Sequence, residues 1–312
     1  MSRNSAEKMF LATSDDYQRD LVKQIRSFSH GHHLHTVFSD FVELSALAIS
    51  NCVDRRQFDA REKRYLEIVG GYEKEEVRHF PKMLATLTSS FEHRVEQMHK
   101  TLGRGYGTSG LSDVLGETYM MLDLGNARAG QFFTPYEVSK LMASMVICVT
   151  VDQARMHGFV RVHEPACGAG GMIIATAEAF HEAGLNYQQA MHVTCIDIDP
   201  CCVHMAYVQL SLLHIPAIVV HGNALSMKVW GQWFTPAHVL GGWNHRLSSR
   251  RATEAMCEII SGAPENDIET GHQQEQAPVE DVANMTALFE EARSVKPHTK
   301  DVFDLVDQLS LF

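Results

Sequence analysis

No apolar stretch in this sequence reaches the roughly 18 residues that a bilayer-crossing helix needs, so no membrane is expected among its partners. The opening, Met1-Ser-Arg-Asn-Ser-Ala-Glu-Lys8, is polar and leads into no apolar secretion-signal core. The expected compartment is the cytoplasm. Cysteine is sparse and unpatterned: there are seven, an odd number, with Cys201 and Cys202 adjacent and no Cys-x-x-Cys. That argues against a disulfide framework and a zinc-type spacing and fits reduced thiols. Positive charge is also short, with 27 Lys and Arg against 38 Asp and Glu and a net charge of −11. Residues 262–312 hold 11 acids and 3 bases, or −8, which leaves −3 for residues 1–261. Such a body is poorly equipped to grip a polyanion by itself, because non-specific DNA affinity comes largely from Lys and Arg neutralising phosphates.

The chain does have enough apolar matter, 45% of 312 residues, to bury a substantial core in two folded parts. Apolar residues recur at three and four in Phe38–Ile49 and Met83–Met98, which predicts a helical part over residues 1–110. The stretch Gly103-Arg-Gly-Tyr-Gly-Thr-Ser-Gly110 marks its expected boundary with a second domain over 111–260. Residues 261–300 are polar and acidic and read as a linker before a terminal peptide, 301–312. The run Ser29-His-Gly-His-His-Leu-His35 invites a metal. Histidines beside a glycine more often form a solvent-facing loop, and with no carboxylate or cysteine at ligand spacing no metal is expected.

The most informative stretch is Val162-His-Glu-Pro-Ala-Cys-Gly-Ala-Gly-Gly171, an apolar run closing in a carboxylate, a proline and a glycine-rich turn before the helix-like Met172–His181. That order brings backbone N–H groups against a polar ligand at the carboxyl edge of a parallel sheet. A second strand-like run, His192–Asp197, ends in an acid roughly 20 to 30 residues past the glycines, where such folds hold ribose hydroxyls. After the helix-like Cys201–His214, a third strand, Ile215–Val220, runs out to Gly222-Asn223, whose amide suits an adenine edge. The competing reading is a doubly wound domain in which these residues only cap helices and close turns.

Upstream lies Gly130-Gln-Phe-Phe-Thr-Pro135 with Glu137-Val-Ser139. Together with Glu164-Pro-Ala-Cys-Gly-Ala-Gly-Gly171, it closely resembles the adenine-N6 DNA methyltransferases typified by the methylation subunits of type I restriction-modification systems. The resemblance covers residues from about 115 to 227. It implies an α/β fold of the S-adenosylmethionine (SAM)-dependent methyltransferase type, a Rossmann-like doubly wound sheet preceded by a helical N-terminal domain. It assigns Thr134, Glu164, Gly168 and Gly170 to the methionine end of SAM, Asp197 to the ribose and Asn223 to the adenine. Phe133, Pro135, Pro165, Ala166, Ile198 and Ala224 flank these and complete the expected cofactor site.

The family presents Asn/Asp-Pro-Pro-Phe/Tyr to a flipped adenine, because the exocyclic nitrogen is a poor nucleophile and needs acceptors for its hydrogens. No such tetrapeptide occurs here. The nearest candidates are Thr235-Pro-Ala-His238 and Trp243-Asn-His245. A threonine hydroxyl accepts, proline fixes the backbone and histidine stacks, which makes Thr235, Pro236 and His238 the candidate catalytic set. The competing reading has Trp230, Trp233, Phe234 and Trp243 packing a sheet edge, with Pro236 in a turn.

Arg246, Arg250 and Arg251 follow this segment and are the preferred DNA contacts, ahead of Arg55, Arg56, Arg61 and Arg64. The terminal Gln308-Leu-Ser-Leu-Phe312 is similar to peptides that dock on the bacterial β sliding clamp, and a clamp would tether a weak DNA binder at high effective concentration. An amphipathic helix over Val302–Phe312 covering the domain's own core is the alternative. No target-recognition layer is evident, so sequence specificity is expected to be low or supplied by a specificity subunit; a homo-oligomer is the other partner considered. These readings converge on a clamp-recruited, SAM-dependent adenine-N6 methyltransferase acting on double-stranded DNA. A catalytically inactive SAM-fold protein that binds DNA or the clamp is the alternative, and a third reading changes the acceptor to RNA or protein.

Overall fold

The three-and-four apolar rhythm of the first hundred residues does fold into helices. The computed structural model describes residues 14–28, 31–101, 110–125 and 133–261. The helices before residue 110 are α1 (Asp16–Ser27), α2 (Leu34–Val53), α3 (Phe58–Val69), the single turn α4 (Lys74–Val77) and α5 (His79–Thr101). Asp15 starts α1 by accepting from Gln18 N at 2.6 Å, which satisfies one of the donors a helix leaves open at its start. By length and composition alone α2 passes for a membrane span. Its Val37, Phe38, Phe41, Val42 and Leu47 are spent in the core instead.

After α6 (Val114–Met121) and α7 (Tyr136–His157) come β1 (Val160–Glu164), α8 (Gly171–Glu182), the short α9 (Tyr187–Ala190), β2 (Met191–Asp197) and α10 (Pro200–Leu212). A hairpin of β3 (Ala217–Asn223) and β4 (Lys228–Phe234) follows, then α11 (Pro236–Leu240) and α12 (Trp243–Ser261). The strands lie in the order β1-β2-β3-β4; the first three are parallel and β4 is antiparallel to β3. Parallel neighbours require crossovers, which α8 and α10 provide. Asp199 and Pro200 start α10 sharply, the carboxylate accepting from Cys201 N at 2.8 Å and the proline fixing the first turn. Glu164 pairs with Cys195 and Asp197 with His221, so the carboxyl ends of three strands finish along one edge.

Alternate residues of a strand face opposite ways. Val193, Cys195, Ala217 and Val219 share a core with Ile173 and Ile174 of α8 and Val203 and Met205 of α10. The other face carries a separate cluster, Ile196, Ile218 and Val220 with Ala224 and Phe234, to which no helix of the described residues contributes. The expected doubly wound sheet is therefore found as a mixed four-stranded sheet with its crossover helices on one face. The cause is β3, which returns as a hairpin where a further crossover would have built the second layer.

The helical part and the sheet share that core, for one cluster runs from Leu21 and Phe38 to Val219 and Trp233. The boundary expected near residue 110 thus does not separate two cores: residues 1–250 form one unit and residues 251–312 a second. Arg61 of α3 joins helix to strand. Its guanidinium donates to Asp54 Oδ2 at 3.0 Å and to the Gln232 carbonyl of β4 at 2.8 Å, and lies 4.1 Å from the Trp233 ring.

Candidate functional site

Beyond β1 the chain turns through Pro165 and Ala166 into Cys167–Gly170. Gly168 (φ +53°) and Gly170 (φ +94°) take left-handed backbone that only glycine adopts without side-chain strain. Cys167 N donates to Ile196 O at 2.9 Å and Gly168 N to Asp197 Oδ2 at 2.8 Å, which ties the turn to the end of β2. From α10, Gln209 Nε2 donates to Ala169 O at 2.8 Å and to Asp113 Oδ1 at 2.7 Å. Asp113 in turn caps α6 by accepting from Gly116 N at 2.9 Å. The turn is therefore braced from two sides by the fold itself.

A cavity of about 220 Å³ opens at this turn, with Phe133, Thr134, Ser139, Glu164, Ala166 and Gly168 in its wall. Drug-sized pockets run to roughly 300–1,000 Å³, so this one suits the polar end of a larger ligand. Its chemistry is acidic. Burial pushes the Asp113 carboxyl up to about 6 against the donors Gln209 and Gly116. Burial also raises Glu164, which the Ala166 N–H partly offsets, and Asp197 just behind the turn, against the N–H groups of Asp199 and Gly168. Among the described residues, none in its wall is Lys or Arg. A cationic ligand group would relieve this cost, since a nearby opposite charge favours the ionised carboxylate. Ser139, a residue 1% exposed, also lines this cavity, and its Oγ is buried with no hydrogen-bond partner among the described residues. An unmet buried hydroxyl costs about 1–3 kcal/mol, which a polar ligand atom recovers.

Five of the sequence-predicted cofactor residues are brought together here: Phe133, Thr134, Glu164, Ala166 and Gly168. Pro135 sits at the start of α7, Pro165 in the exposed turn and Gly170 at the start of α8. Asp197 reaches the turn through Gly168 without lining the cavity, and Ile198 beside it is 59% exposed. Asn223 is not delivered to the cavity: its Oδ1 accepts from Leu225 N and Ser226 N and closes the β3–β4 turn, while Ala224 packs on the second face of the sheet. The sequence reading passed over Asp113 and Gln209, and it gave Ser139 no role beyond its place in Glu137-Val-Ser139. Asp113 carried a usable signal, an acid three residues before Gly116 at a helix start.

The candidate catalytic set needs correction. Thr235 Oγ donates to the Ile215 carbonyl at 2.9 Å and accepts from Ala217 N at 2.9 Å, at the amino end of β3 and thus across the sheet from the cavity. Pro236 opens α11, and buried His238 lies 2.8 Å through Nδ1 from His192 Nε2, near the amino end of β2. These three residues close the bottom of the sheet, because the β3–β4 hairpin carries the chain back to where β3 began. The arginines follow them there: Arg246 bonds Gln189 O and lies 3.7 Å from the Trp243 ring, and Arg250 bonds Phe159 O. Neither neighbours the cavity. Arg251 is half-buried at the start of the second unit. In the helical part Arg61 is buried, Arg64 is held by Glu43 at 2.7 and 3.0 Å, and the Arg55 guanidinium lies 5.7 Å from the Phe58 ring. Residues 308–312 lie outside the described residues. So does His30 of the histidine run, whose His32 lies 3.3 Å from Glu76.

The histidines at the sheet's amino edge make stability depend on pH. His238 Nε2 is 2.9 Å from Asn244 Oδ1, which assigns its proton there and leaves Nδ1 to accept from His192. Burial holds His238 down to about 4, outweighing the Asn244 bond, and His192 well below its usual range. The neutral ring's contribution is complete above the unfolded pKa near 6.5 and is lost as pH falls toward about 4. In urea unfolding, His238→Gln is expected to lose roughly 2–3 kcal/mol less than wild type between pH 7.5 and 4.5. Equal losses in the two proteins would contradict this assignment.

Fold and site together define an α/β domain with an acidic ligand cavity at the carboxyl ends of parallel strands. Residues 111–238 match the family model for N-6 DNA methylase. That segment begins two residues before Asp113, takes in the glycine turn and ends at His238. No curated protein matches the chain.

Proposed function

We propose that this chain binds SAM at the Cys167–Gly170 turn and acts in adenine-N6 methylation of DNA, with a sheet of the methyltransferase kind. One observation carries the cofactor: a cavity walled by the carboxylates Asp113 and Glu164, with no Lys or Arg among the described residues of its wall, suits a ligand bearing an ammonium and a sulfonium. Ser139 and Thr134 offer hydroxyls for its amino-acid end, and Asp197 Oδ2 accepts directly from Gly168 N of the turn. The residues present fit the group. When bound, it supplies a methyl on an electrophilic sulfur. The chain's own part is to orient that end, exclude water at Phe133 and brace the turn through Asp113 and Gln209.

The expected acceptor is double-stranded DNA, in the cytoplasm. Recruitment to the β sliding clamp through Gln308, Leu309, Ser310, Leu311 and Phe312, with low sequence specificity, remains part of the proposal and rests on that peptide's sequence alone.

A second reading, SAM binding without transfer, has its own support. Thr235 and His238 are committed to hydrogen bonds at the opposite edge of the sheet, and the tetrapeptide that accepts the adenine hydrogens is missing. Calorimetry with SAM, followed by incubation of the full chain with methyl-labelled SAM and unmethylated DNA, separates the two. Binding that weakens about tenfold in Ser139→Ala, together with label in N6-methyladenine, is the expected result. Binding without label favours the second reading, and no binding sinks both.

A further inference from the structure

Among the described residues Glu178 of α8 is the most deeply buried acid, 2% exposed, and it stands outside the cavity wall. A carboxylate taken out of water needs partners to be tolerated. Two of them come from the first turns of α7. Tyr136 Oη donates to Glu178 Oε2 at 2.7 Å, and Lys140 Nζ lies 3.3 Å from Oε1. They stand four residues apart on one face of the helix, so a single carboxylate reaches both. Gly110 packs against the same carboxylate, where an added Cβ would overlap Oε1. Burial, and after it the facing carboxylate, raises the Tyr136 phenol well above its usual range, so it stays a donor.

The contact falls where the cavity needs it. Ser139 lies between the two held residues, Phe133 and Thr134 just before them and Met142 just after, and all four line the cavity. Gly171 and Met172, which open α8, line it too. Glu178 therefore joins the helix behind one wall to the helix behind another. Little else fixes α7. Pro135 at its start makes no side-chain cap, and beyond Ala143 only Val151 and Ala154 are buried.

We propose that Glu178 is a positioning residue for the cofactor: by holding Tyr136 and Lys140 it sets the α7 wall before the ligand arrives. This rests on the SAM reading above. A wall already ordered spares the ligand the cost of ordering it, and the saving appears as affinity. Hydrogen exchange over residues 139–145 and calorimetry with SAM, both on the full chain, test it. Glu178→Ala is expected to speed exchange there about tenfold with β2 and β3 still protected, and to weaken SAM binding about tenfold. Glu178→Gln, which keeps an acceptor for Tyr136, is expected to bind within about threefold of wild type, and Tyr136→Phe added to Glu178→Ala to cause no further loss. Arg155→Ala, at the far end of the same helix, is expected to change neither exchange nor binding. Unchanged exchange in Glu178→Ala, faster exchange with SAM affinity intact, Glu178→Gln as weak as Glu178→Ala, or an additive loss from Tyr136→Phe would overturn the proposal and leave the SAM reading in place. No binding by wild type would overturn both.

Discussion

Gly168→Val is expected to abolish SAM binding in calorimetry while leaving most of the fold's stability in place. Two costs coincide at this position. The backbone is at φ +53°, and a β-branched residue held there costs about 1–3 kcal/mol. An added Cβ would also stand 3.1 Å from Phe133 Cδ1, in the cavity wall. The turn would relax by rotating Gly168 N away from Asp197 Oδ2, which moves the wall that Ala166 and Gly168 supply. Gly184 makes a control: at φ +77° it has nothing within 4 Å of an added Cβ and lies away from the cavity. Gly184→Ala should bind as wild type does. Equal loss in both variants would mean that the effect is general instability, and normal binding by Gly168→Val would remove the turn from the site.

Arg61→Ala is expected to cost the protein about 3–5 kcal/mol in urea unfolding, the penalty for breaking a buried ion pair by removing one partner. Its side chain is 7% exposed and so is that of Asp54, which would be left buried without its cation. The Gln232 carbonyl would lose a donor and the Trp233 ring its stacked guanidinium. Arg61→Met keeps the volume but not the charge, and Asp54→Asn with Arg61→Met removes both charges. The double variant is expected to recover most of the loss, because an apolar pair in a packed setting often matches a buried ion pair. Arg64→Ala, on an exposed pair with Glu43, should change stability by less than about 1 kcal/mol. Similar losses at Arg61 and Arg64 would show that burial is not what matters.

Much of the carboxyl edge was legible in the residues. Met172–His181, His192–Asp197 and Cys201–His214 fall within two residues of α8, β2 and α10, because glycine turns, capping acids and apolar runs are all local signals. The cavity wall followed from the same signals, since Glu164 and Gly168 adjoin the strand end that places them. What failed was β4. Trp230, Trp233 and Phe234 were read only as packing a sheet edge, with no strand assigned to Lys228–Phe234, although Asn223 before a short connection is a turn signal. Once that segment is a hairpin strand, the chain must finish at the amino edge, and Thr235, His238, Arg246 and Arg250 go there with it. Register and return direction are set by pairing across space, which a one-dimensional reading weighs poorly. Ser139 was visible in Glu137-Val-Ser139 but had no role there, as its importance lies in burial without a partner.

The shared core also fixes when this protein can acquire its shape during synthesis. Arg61 and the carbonyl it grips are 171 positions apart, and α2 lies against α10. The first hundred residues therefore leave the ribosome with their apolar surfaces uncovered, and must wait until β4 has been translated before the last of those surfaces is sealed. Domains that close on themselves early escape this exposure. For this chain the interval of vulnerability, from Arg61 to Gln232, spans more than half of translation.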